Sequence, residues 1–405
     1  MNTIFANATL LDGTGPRPGH VLVENGLIHD VSDAPIHSAD ARVIDLRGAT
    51  LMPGLIDAHV HVIAGLVNVA QNAMLPDALV AMRAARIMQG MLMRGFTTVR
   101  DLGGATLGLR LAWEEGLFEG PRLVLCGKAL SQTGGHADIR GRYDTRDAEW
   151  FAPRLGALGR VVDGVDAVRR ACREEIKAGA DYIKLMANGG VASPTDPIAF
   201  LGFSREEMLA AVEEAESAQT YVAAHLYTDA AIRRAVECGV HSLEHCNLIT
   251  AETARLAAAR GAIACPTLVT YQALKEEGAA LGLPPVSVAK IDDVRLAGLR
   301  SLEIMRDAGL TMAFGTDLLG EMHRRQSEEF LIRAEVLDAM EVIRSTTCHA
   351  AKLLRMEGRI GAITPGAYAD LIVPDADPLR DMATLAREIG FVMQAGRVVK
   401  DARAG

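Results

Sequence analysis

Short apolar runs alternate with amphipathic segments through the middle of the chain, from about residue 55 to residue 355. Each run is bounded by turn residues and predicts a buried strand, and the segments between the runs predict helices. One helix opens with a capping box at Ser204 and Glu207, and another begins near Asp229 and ends at Gly239. Repeating βα units predict an α/β fold, a (β/α)₈ TIM barrel, with a doubly wound open sheet as the alternative. The predicted strands are residues 55–61, 97–100, 122–125, 182–186, 221–225, 242–245, 262–265 and 310–314.

Both ends of the chain differ from the middle, because they contain short strands without long helices between them. Near the N-terminus, Asn25-Gly26 separates two strand-like runs, and both residues tolerate the positive φ of a two-residue hairpin. Near the C-terminus, Ala395-Gly396 lies between two similar runs. We therefore expect residues 1–54 and 356–405 to form one small β-sandwich-like module, beside a barrel of residues 55–355 that carries the chemistry.

Composition narrows the class of protein. The 405 residues are 49% hydrophobic and 23% charged, which is typical of a globular protein. The net charge of −9 and the lack of a Lys/Arg cluster with interleaved aromatic residues argue against binding to nucleic acid. There is no long uninterrupted apolar run, no signal-peptide pattern at the start and no C-x-x-C pairing among the six cysteines. We therefore expect a cytoplasmic protein with reduced thiols and no membrane partner.

Titratable residues fall at the carboxyl ends of several predicted strands. His59 and His61 end the first strand, and both point to the same side because side chains alternate along a strand. In a (β/α)₈ barrel the carboxyl ends of the strands meet at one face, where the chemistry takes place. A single such residue is explained equally well as a hydrogen-bonded core residue, but six on one rim indicate a site. The six are His59, His61, Lys184, His225, His245 and Asp317.

Lys184 lies inside the apolar run Tyr182–Met186, where an unpaired ammonium is costly to bury. One interpretation is a lysine whose ammonium reaches the strand end and solvent. The other is carboxylation by carbon dioxide, which converts the cation into a carbamate whose two oxygens can bridge two metal ions. The segment Asn188-Gly189-Gly190 follows directly and allows a substrate to approach the backbone closely.

Imidazoles and a carboxylate in this pattern suit a divalent metal such as zinc. We expect His59, His61 and Asp317 to hold one cation, and His225 and His245 to hold a second. Two metals about 3.5 Å apart bind one hydroxide between them, and the second metal polarises the substrate carbonyl. Asp317 would act as general base toward the attacking water and as general acid toward the leaving nitrogen. The sequence therefore predicts metal-dependent hydrolysis.

These residues resemble the metal-binding motifs of the amidohydrolase superfamily, in its binuclear branch with a bridging carboxylated lysine. Within that branch the chain is similar to the imidazolonepropionase-like and Xaa-Pro dipeptidase-like group, which includes ochratoxin A hydrolases. The resemblance implies two divalent metal ions, Zn²⁺, and N6-carboxylysine at Lys184. That lysine counts against a mononuclear deaminase or a true imidazolonepropionase. The matching motifs are Asp57-Ala58-His59-Val60-His61, Lys184, His225, His245 and Gly315-Thr316-Asp317.

The resemblance also implies catalytic contacts to the substrate. His136, in a Gly-rich loop, and Tyr227, two residues past His225, match positions that contact the free α-carboxylate and carbonyl region of substrates in peptidase-like relatives. The chain has Ala137 where relatives often have Gly, which affects the shape of the loop rather than the chemistry. Tyr227 is explained equally well as a packing residue at the barrel rim. His323, after the last predicted strand, is a further predicted substrate contact, although a solvated charged loop is equally plausible there.

Together, these features predict a binuclear zinc amidohydrolase that cleaves an amide bond to a C-terminal amino acid with a free carboxylate. The expected substrates are dipeptides and N-acyl amino acids, including ochratoxin A, which would release phenylalanine. The alternative is a cyclic amidase, lactonase or deaminase that uses the same metal site. A scaffold protein without catalysis would require lost ligands, and none is lost here. The resemblance also implies a homo-oligomer, since octamers occur among the ochratoxin hydrolases.

Overall fold

The computed structural model describes residues 2–193 and 195–402, which form a mixed α/β fold. Within those two ranges, every helix is too short or too polar to cross a lipid bilayer. The strands are β1 (Asn2–Asp12), β2 (Gly15–Glu24), β3 (Leu27–Ser32), β4 (Ala41–Asp45), β5 (Thr50–Pro53), β6 (Leu55–Val60), β7 (Phe96–Asp101), β8 (Arg122–Leu125), β9 (Ala129–Ser131), β10 (Gly159–Val161), β11 (Ile183–Met186), β12 (Val222–Thr228), β13 (Ser242–Leu248), β14 (Ile263–Cys265), β15 (Leu371–Val373), β16 (Phe391–Gln394) and β17 (Arg397–Asp401).

The helices lie mainly between the strands of the middle of the chain. They are α1 (Val69–Asn72), α2 (Asp77–Met93), α3 (Leu107–Glu114), α4 (Val165–Lys177), α5 (Arg205–Ser217), α6 (Asp229–Glu237), α7 (Ala251–Ala259), α8 (Leu268–Ala273), α9 (Pro285–Arg295), α10 (Gly298–Asp307), α11 (Glu329–Arg333), α12 (Ala339–Thr346) and α13 (Cys348–Leu353). Short 3₁₀ helices cover Ala148–Trp150, Gly320–Glu328 and Met382–Leu385, and a π-helical turn covers Leu274–Gly278.

One sheet contains strands from both ends of the chain. Its order is β17-β16-β15-β5-β1-β2-β3, and β4 pairs with β1. The hairpin turns are Asn25-Gly26, with φ of 51° and 81°, and Ala395-Gly396, with φ of 46° and 74°. Positive φ at both turn positions is what the Asn-Gly pair predicts. The buried side chains of this sheet form a separate hydrophobic cluster. In this cluster the rings of Phe5 and Phe391 pack with their centroids 5.6 Å apart.

The middle of the chain forms two parallel sheets. One contains β6, β7 and β8, and the other has the order β10-β9-β11-β12-β13-β14. The predicted capping box is present, because the Ser204 hydroxyl accepts the Glu207 N–H and the Glu207 carboxylate accepts the Ser204 N–H. Gly239, with φ of 92°, follows α6 as predicted. The last predicted strand, residues 310–314, forms only a single parallel β-bridge, between Met312 and Ala264.

The strand register brings the carboxyl ends of the parallel strands level with one another. Met186 of β11 pairs with His225 of β12, and Leu226 of β12 pairs with His245 of β13. The segment before Asp317 passes close to β6, because an added Cβ on Gly315 would lie only 2.7 Å from the Cβ of His59. Only glycine therefore allows this approach, which places Asp317 beside the histidines.

Candidate metal centre

Four histidines and one carboxylate converge at the carboxyl ends of the parallel strands. His59 lies in β6 and His61 directly follows it, while His225 comes from β12 and His245 from β13. The ring centroids of His225 and His245 are 4.6 Å apart, and those of His59 and His245 are 4.8 Å apart. All four side chains are buried. The structure thus brings together histidines that the sequence predicted to share one rim.

Asp317 contacts these histidines through its carboxylate. Its Oδ1 lies 3.3 Å from Nε2 of His59 and 3.1 Å from Nε2 of His61, and its Oδ2 lies 3.9 Å from Nδ1 of His245. Burial acts to raise the pKa of Asp317, but the neighbouring His59 and His61 hold that pKa well below its ordinary value, so the carboxylate is ionised. Asp317 and His245 both have left-handed backbones, with φ of 54° and 68°. Such conformations are costly for non-glycine residues and cluster at functional sites.

Lys184 lies in β11 and lines the same cavity as the histidines. Only 1% of the residue is exposed. Among the residues that the structure describes, none forms a hydrogen bond or a close ion pair with its ammonium, and burial lowers the pKa of Lys184. A buried amine with a lowered pKa is more readily neutral, and the neutral amine is the form that reacts with carbon dioxide. The side chain of Lys184 therefore does not reach solvent.

Each of the four histidines has a hydrogen-bond partner for one ring nitrogen. Such a partner orients the ring and leaves the other nitrogen available to a metal. Burial also lowers the pKa of His225 and of His245 well below the ordinary value, so both rings are neutral. The nitrogen–oxygen pairs are His59 Nδ1 with Glu244 Oε2 at 2.8 Å, His61 Nδ1 with the Gly103 carbonyl at 3.4 Å, His245 Nδ1 with Thr267 Oγ1 at 2.8 Å, and His225 Nε2 with the Gly189 carbonyl at 3.3 Å.

Glu244 is held by a buried network that the sequence did not reveal. Its Oε1 accepts hydrogen bonds from Nη2 of Arg100, at 2.8 Å, and from the Ser242 hydroxyl. Neither Glu244 nor Arg100 is exposed to solvent. Burial acts to raise the pKa of Glu244, but Arg100 and His59 hold that pKa below its ordinary value. Glu244 is therefore a fixed anion that accepts the Nδ1–H of His59, which orients the ring so that Nε2 faces Asp317.

The cluster opens into a cavity that Lys184, His136 and Tyr227 also line. Much of the remaining wall is apolar, which suits an organic substrate with an apolar part. The apolar lining residues include Val69, Ile139, Phe151, Val191, Leu274 and Leu319.

His136 stacks on His225, with ring centroids 4.1 Å apart and an interplanar angle of 20°. Its Nδ1 lies 2.7 Å from the Ser193 hydroxyl oxygen and 3.4 Å from Oδ2 of Asp196. Gly190 makes room for the ring, because an added Cβ there would lie 1.8 Å from ring atoms of His136. Since Nδ1 is engaged by the Ser193–Asp196 pair, Nε2 is the nitrogen left for a ligand in the cavity.

Tyr227 lies beside the same histidine, with its ring centroid 4.6 Å from that of His225. The Tyr271 hydroxyl donates to the Tyr227 hydroxyl at 3.1 Å. Burial raises the pKa of Tyr227, so the phenol is neutral and keeps its own proton. That proton is available to an acceptor in the cavity.

The structure does not bring His323 to this cavity, which corrects the expectation that it lines the substrate pocket. The segment Gly320–Glu328 is a 3₁₀ helix rather than an open loop, and it buries the His323 ring with Nε2 3.2 Å from the Ala64 carbonyl oxygen. His323 lines a separate pocket instead. Its position therefore argues against direct contact with a substrate at the metal centre.

The donor set fits divalent metal ions. It combines four imidazoles, an ionised carboxylate and a buried amine, and imidazole and carboxylate are typical ligands of zinc. The ligand atoms of His59, His245 and Asp317 lie within 4.8 Å of one another. The partners of the other ring nitrogens provide the outer hydrogen bonds that metal-binding histidines usually have.

Comparison with known proteins identifies the family of this chain. The sequence matches the Amidohydrolase family over residues 50–399. A crystal structure of an amidohydrolase is 54% identical, with a TM-score of 0.97 and 99% of each chain covered. A crystal structure of a prolidase complexed with N-methylphosphonate-L-proline is 50% identical, with a TM-score of 0.97, and covers 99% of this chain and 100% of that chain. Ochratoxinase of Aspergillus niger is 30% identical over 378 residues, 87% of this chain and 76% of the relative. The chain therefore belongs to the amidohydrolase family and is a hydrolase that acts on amide bonds.

Proposed function

We propose that this protein is a binuclear zinc amidohydrolase that cleaves the amide bond to a C-terminal amino acid with a free carboxylate. The observation that carries the proposal is a single cavity in which a cluster of metal-binding side chains lies next to His136 and Tyr227. The similarity to a prolidase with a bound proline phosphonate and to ochratoxinase supports the same kind of bond. The substrate would be a dipeptide or an N-acyl amino acid.

The geometry of the cluster supports a proposed set of metal ligands. When bound, the two cations supply Lewis acidity, which lowers the pKa of a water molecule and polarises the scissile carbonyl. Lys184 would enter as N6-carboxylysine, since its amine is buried without a partner among the described residues. The proposed ligands are His59, His61 and Asp317 for one ion, His225 and His245 for the other, and carboxylated Lys184 between them.

Asp317 performs the proton transfers. Its carboxylate is ionised, as a general base requires, and it lies within 3.3 Å of Nε2 of His59 and Nε2 of His61. It takes one proton from the attacking water and then delivers that proton to the leaving nitrogen. One water is consumed, the C–N bond breaks, and the products are the acyl carboxylate and the free amino acid.

His136 and Tyr227 bind and orient the substrate. Nε2 of His136 and the Tyr227 hydroxyl are the groups that their other hydrogen bonds leave available to the cavity. Both suit the oxygens of an α-carboxylate and of the adjacent carbonyl. The apolar wall suits the acyl group or a bulky side chain, which makes ochratoxin A, with phenylalanine as its product, a plausible substrate.

The proposed fold behind this site is a closed (β/α)₈ barrel of residues 55–355, with a β-sandwich-like module of residues 1–54 and 356–405. Hydrogen bonds across the gaps between the sheets support closure: Ala58 N–H to the Phe314 carbonyl, Ala313 N–H to the Ala264 carbonyl and Asp181 N–H to the Leu125 carbonyl, each 2.8 Å. The cytoplasmic location and the homo-oligomer stay predictions.

A hydrolysis panel read by mass spectrometry tests the proposal. It would contain Xaa-Pro, Xaa-Lys and Xaa-Phe dipeptides, N-acyl amino acids and ochratoxin A, each beside its carboxamide-blocked twin where one can be made. We expect free amino acid from the carboxylate forms and little from the blocked forms. Protein with Asp317→Asn, prepared in the same way, controls for contaminating hydrolases.

Two results would contradict the proposal. Equal cleavage of blocked and free substrates would exclude recognition of the carboxylate. No release from protein shown to hold two metals per chain would instead favour a cyclic amide, a lactone or a deaminase substrate.

A further inference from the structure

A second pocket lies on the far side of the loops that follow His61 and Asp317. The loop Gly65–Val67, one face of α2 and the start of the 3₁₀ helix Gly320–Glu328 line it. No side chain of the metal centre is among its lining residues in the described part of the chain. Its charged lining residues are Arg83, Arg86, Arg94, Arg324 and Glu321.

Three of these arginines lack an acidic partner. Within residues 2–193 and 195–402, Arg83 and Arg86 form neither a hydrogen bond nor an ion pair, and Arg94 bonds only to the amide oxygen of Gln326. Nη1 of Arg83 is buried without any hydrogen-bond partner. Acidic residues outnumber basic ones by 51 to 42 in this chain, so unpaired arginines gathered in one pocket are unexpected. They create a local positive field that suits an anion.

The local backbone fixes these side chains on one face. Arg83, Arg86, Gly90 and Arg94 follow one another at spacings of three and four residues, which places them along one side of α2 and its C-terminal end. The Arg83 stem packs over Gly65, where an added Cβ would lie 2.9 Å from Cδ of Arg83. Arg83 is therefore held over the loop, Arg94 is held by Gln326, and Arg86 is exposed at the mouth of the pocket.

Arg94 connects this pocket to the strand of the metal centre. Its Nε and Nη2 donate to Oε1 of Gln326 at 3.1 and 2.9 Å, and Nε2 of Gln326 donates to Oδ2 of Asp57 at 2.8 Å. Asp57 in turn accepts the backbone N–H of His59 at 3.1 Å. Burial lowers the pKa of Arg94 to about 10, although the charge of Asp57, beyond Gln326, acts to raise it.

We propose that this pocket binds a small oxyanion with at least two negative charges, carried by a phosphate group or by a dicarboxylate. Guanidinium groups bind such oxygens through paired N–H donors, and each bond is charge-assisted. A doubly charged ligand would compensate the unpaired arginines, whereas a monovalent anion would leave most of their charge uncompensated. Arg324 is already paired with Glu277, so Arg83, Arg86 and Arg94 are the expected ligands.

Titration calorimetry of the full-length protein tests this site. Inorganic phosphate and succinate would be added separately at constant ionic strength, with acetate as the monovalent reference. The dianion that binds more tightly shows whether the pocket prefers a phosphate group or a dicarboxylate. We expect one dianion per chain at this site, with at least tenfold weaker binding in Arg83→Ala/Arg86→Ala protein. Arg170→Ala is the matched control, because Arg170 is an exposed arginine on α4, outside this pocket.

The outcomes separate this site from the metal centre and from contacts between chains. Binding that the double variant retains at wild-type strength would place the anion elsewhere, including at the metals, and would overturn the proposal. Wild-type protein that binds neither dianion more tightly than acetate would also overturn it. If, in addition, light scattering showed that the double variant alone changes its oligomeric state, the arginines would pair with carboxylates of a second copy.

Discussion

Oε2 of Glu244 lies 2.8 Å from Nδ1 of His59, and both side chains are buried. The glutamate accepts the Nδ1–H of the ring, so the ring is oriented with Nε2 toward Asp317. Glu244 can keep this role because Arg100 neutralises it from the other side. The metal centre therefore depends on a carboxylate that does not itself belong to the proposed ligand set.

We predict that Glu244→Gln lowers the affinity for metal about 10- to 100-fold, because a neutral amide stabilises the ring of His59 less than a carboxylate does. Metal content after dialysis against a graded series of chelator concentrations measures this. Glu329→Gln is the control, since Glu329 is equally buried and paired with Arg333, but contacts no histidine. Equal metal retention by both variants would show that Glu244 only stabilises the fold.

Lys184→Ala should lose activity and much of the bound metal, because the proposed bridge between the two ions disappears. Elemental analysis and the amide hydrolysis rate measure the two effects on one preparation. Lys128→Ala is the matched control: Lys128 is also buried, but its ammonium donates to the carbonyls of Arg154 and Ala157, at 2.7 and 2.6 Å. Full activity with two retained metals in Lys184→Ala protein would end the binuclear interpretation.

Features that depend on local periodicity could be predicted from the sequence. Alternation along a strand placed His59 and His61 on the same side, and turn chemistry placed the hairpin at Asn25-Gly26. The strand-end rule grouped His225 with His245, whose rings are in contact. Each of these inferences needs only the residues of one element and the direction in which its strand runs.

Features that depend on partners far apart in the chain could not be predicted. Arg100 and Glu244 are separated by 144 residues and belong to different sheets, and only the complete fold brings their side chains together. Glu244 is next to His245, so simple alternation would point it away from the histidines; the left-handed backbone at His245, with φ of 68°, breaks the alternation, and Glu244 contacts His59. The charged sequence around His323 predicts a loop, whereas the segment forms a 3₁₀ helix that directs the His323 ring toward Ala64.

Asp317→Asn should retain part of the metal while turnover falls by roughly a hundredfold or more, because an amide cannot accept the proton of the attacking water. Asparagine is the suitable replacement, since it tolerates the left-handed backbone at this position, where φ is 54°. The rate and the metal content would be measured on one sample. Turnover near that of wild type would exclude Asp317 as the base.

Tyr227→Phe should raise KM for substrates with a free carboxylate about tenfold or more, since a hydrogen bond to a charged group contributes about 1.5–3 kcal/mol. The carboxamide-blocked substrates should change less. Tyr271→Phe is the control, because it removes the partner of the Tyr227 hydroxyl and leaves that hydroxyl in place. If both variants show the same KM for free and blocked substrates as wild type, Tyr227 is a packing residue.

Lys290→Met should raise KM about tenfold with little loss of metal, because Lys290 holds the loop that positions His136. Its ammonium donates to the carbonyls of Gly190, Ser193 and Asp196, at 2.6, 2.9 and 3.0 Å. Without these bonds the loop loosens, and a misplaced contact is costly even far from the reacting bond. Lys275→Met is the control, since its ion pair with Asp292 is exposed. A fall in kcat with unchanged KM would show that Lys290 does not act through the binding of the substrate carboxylate.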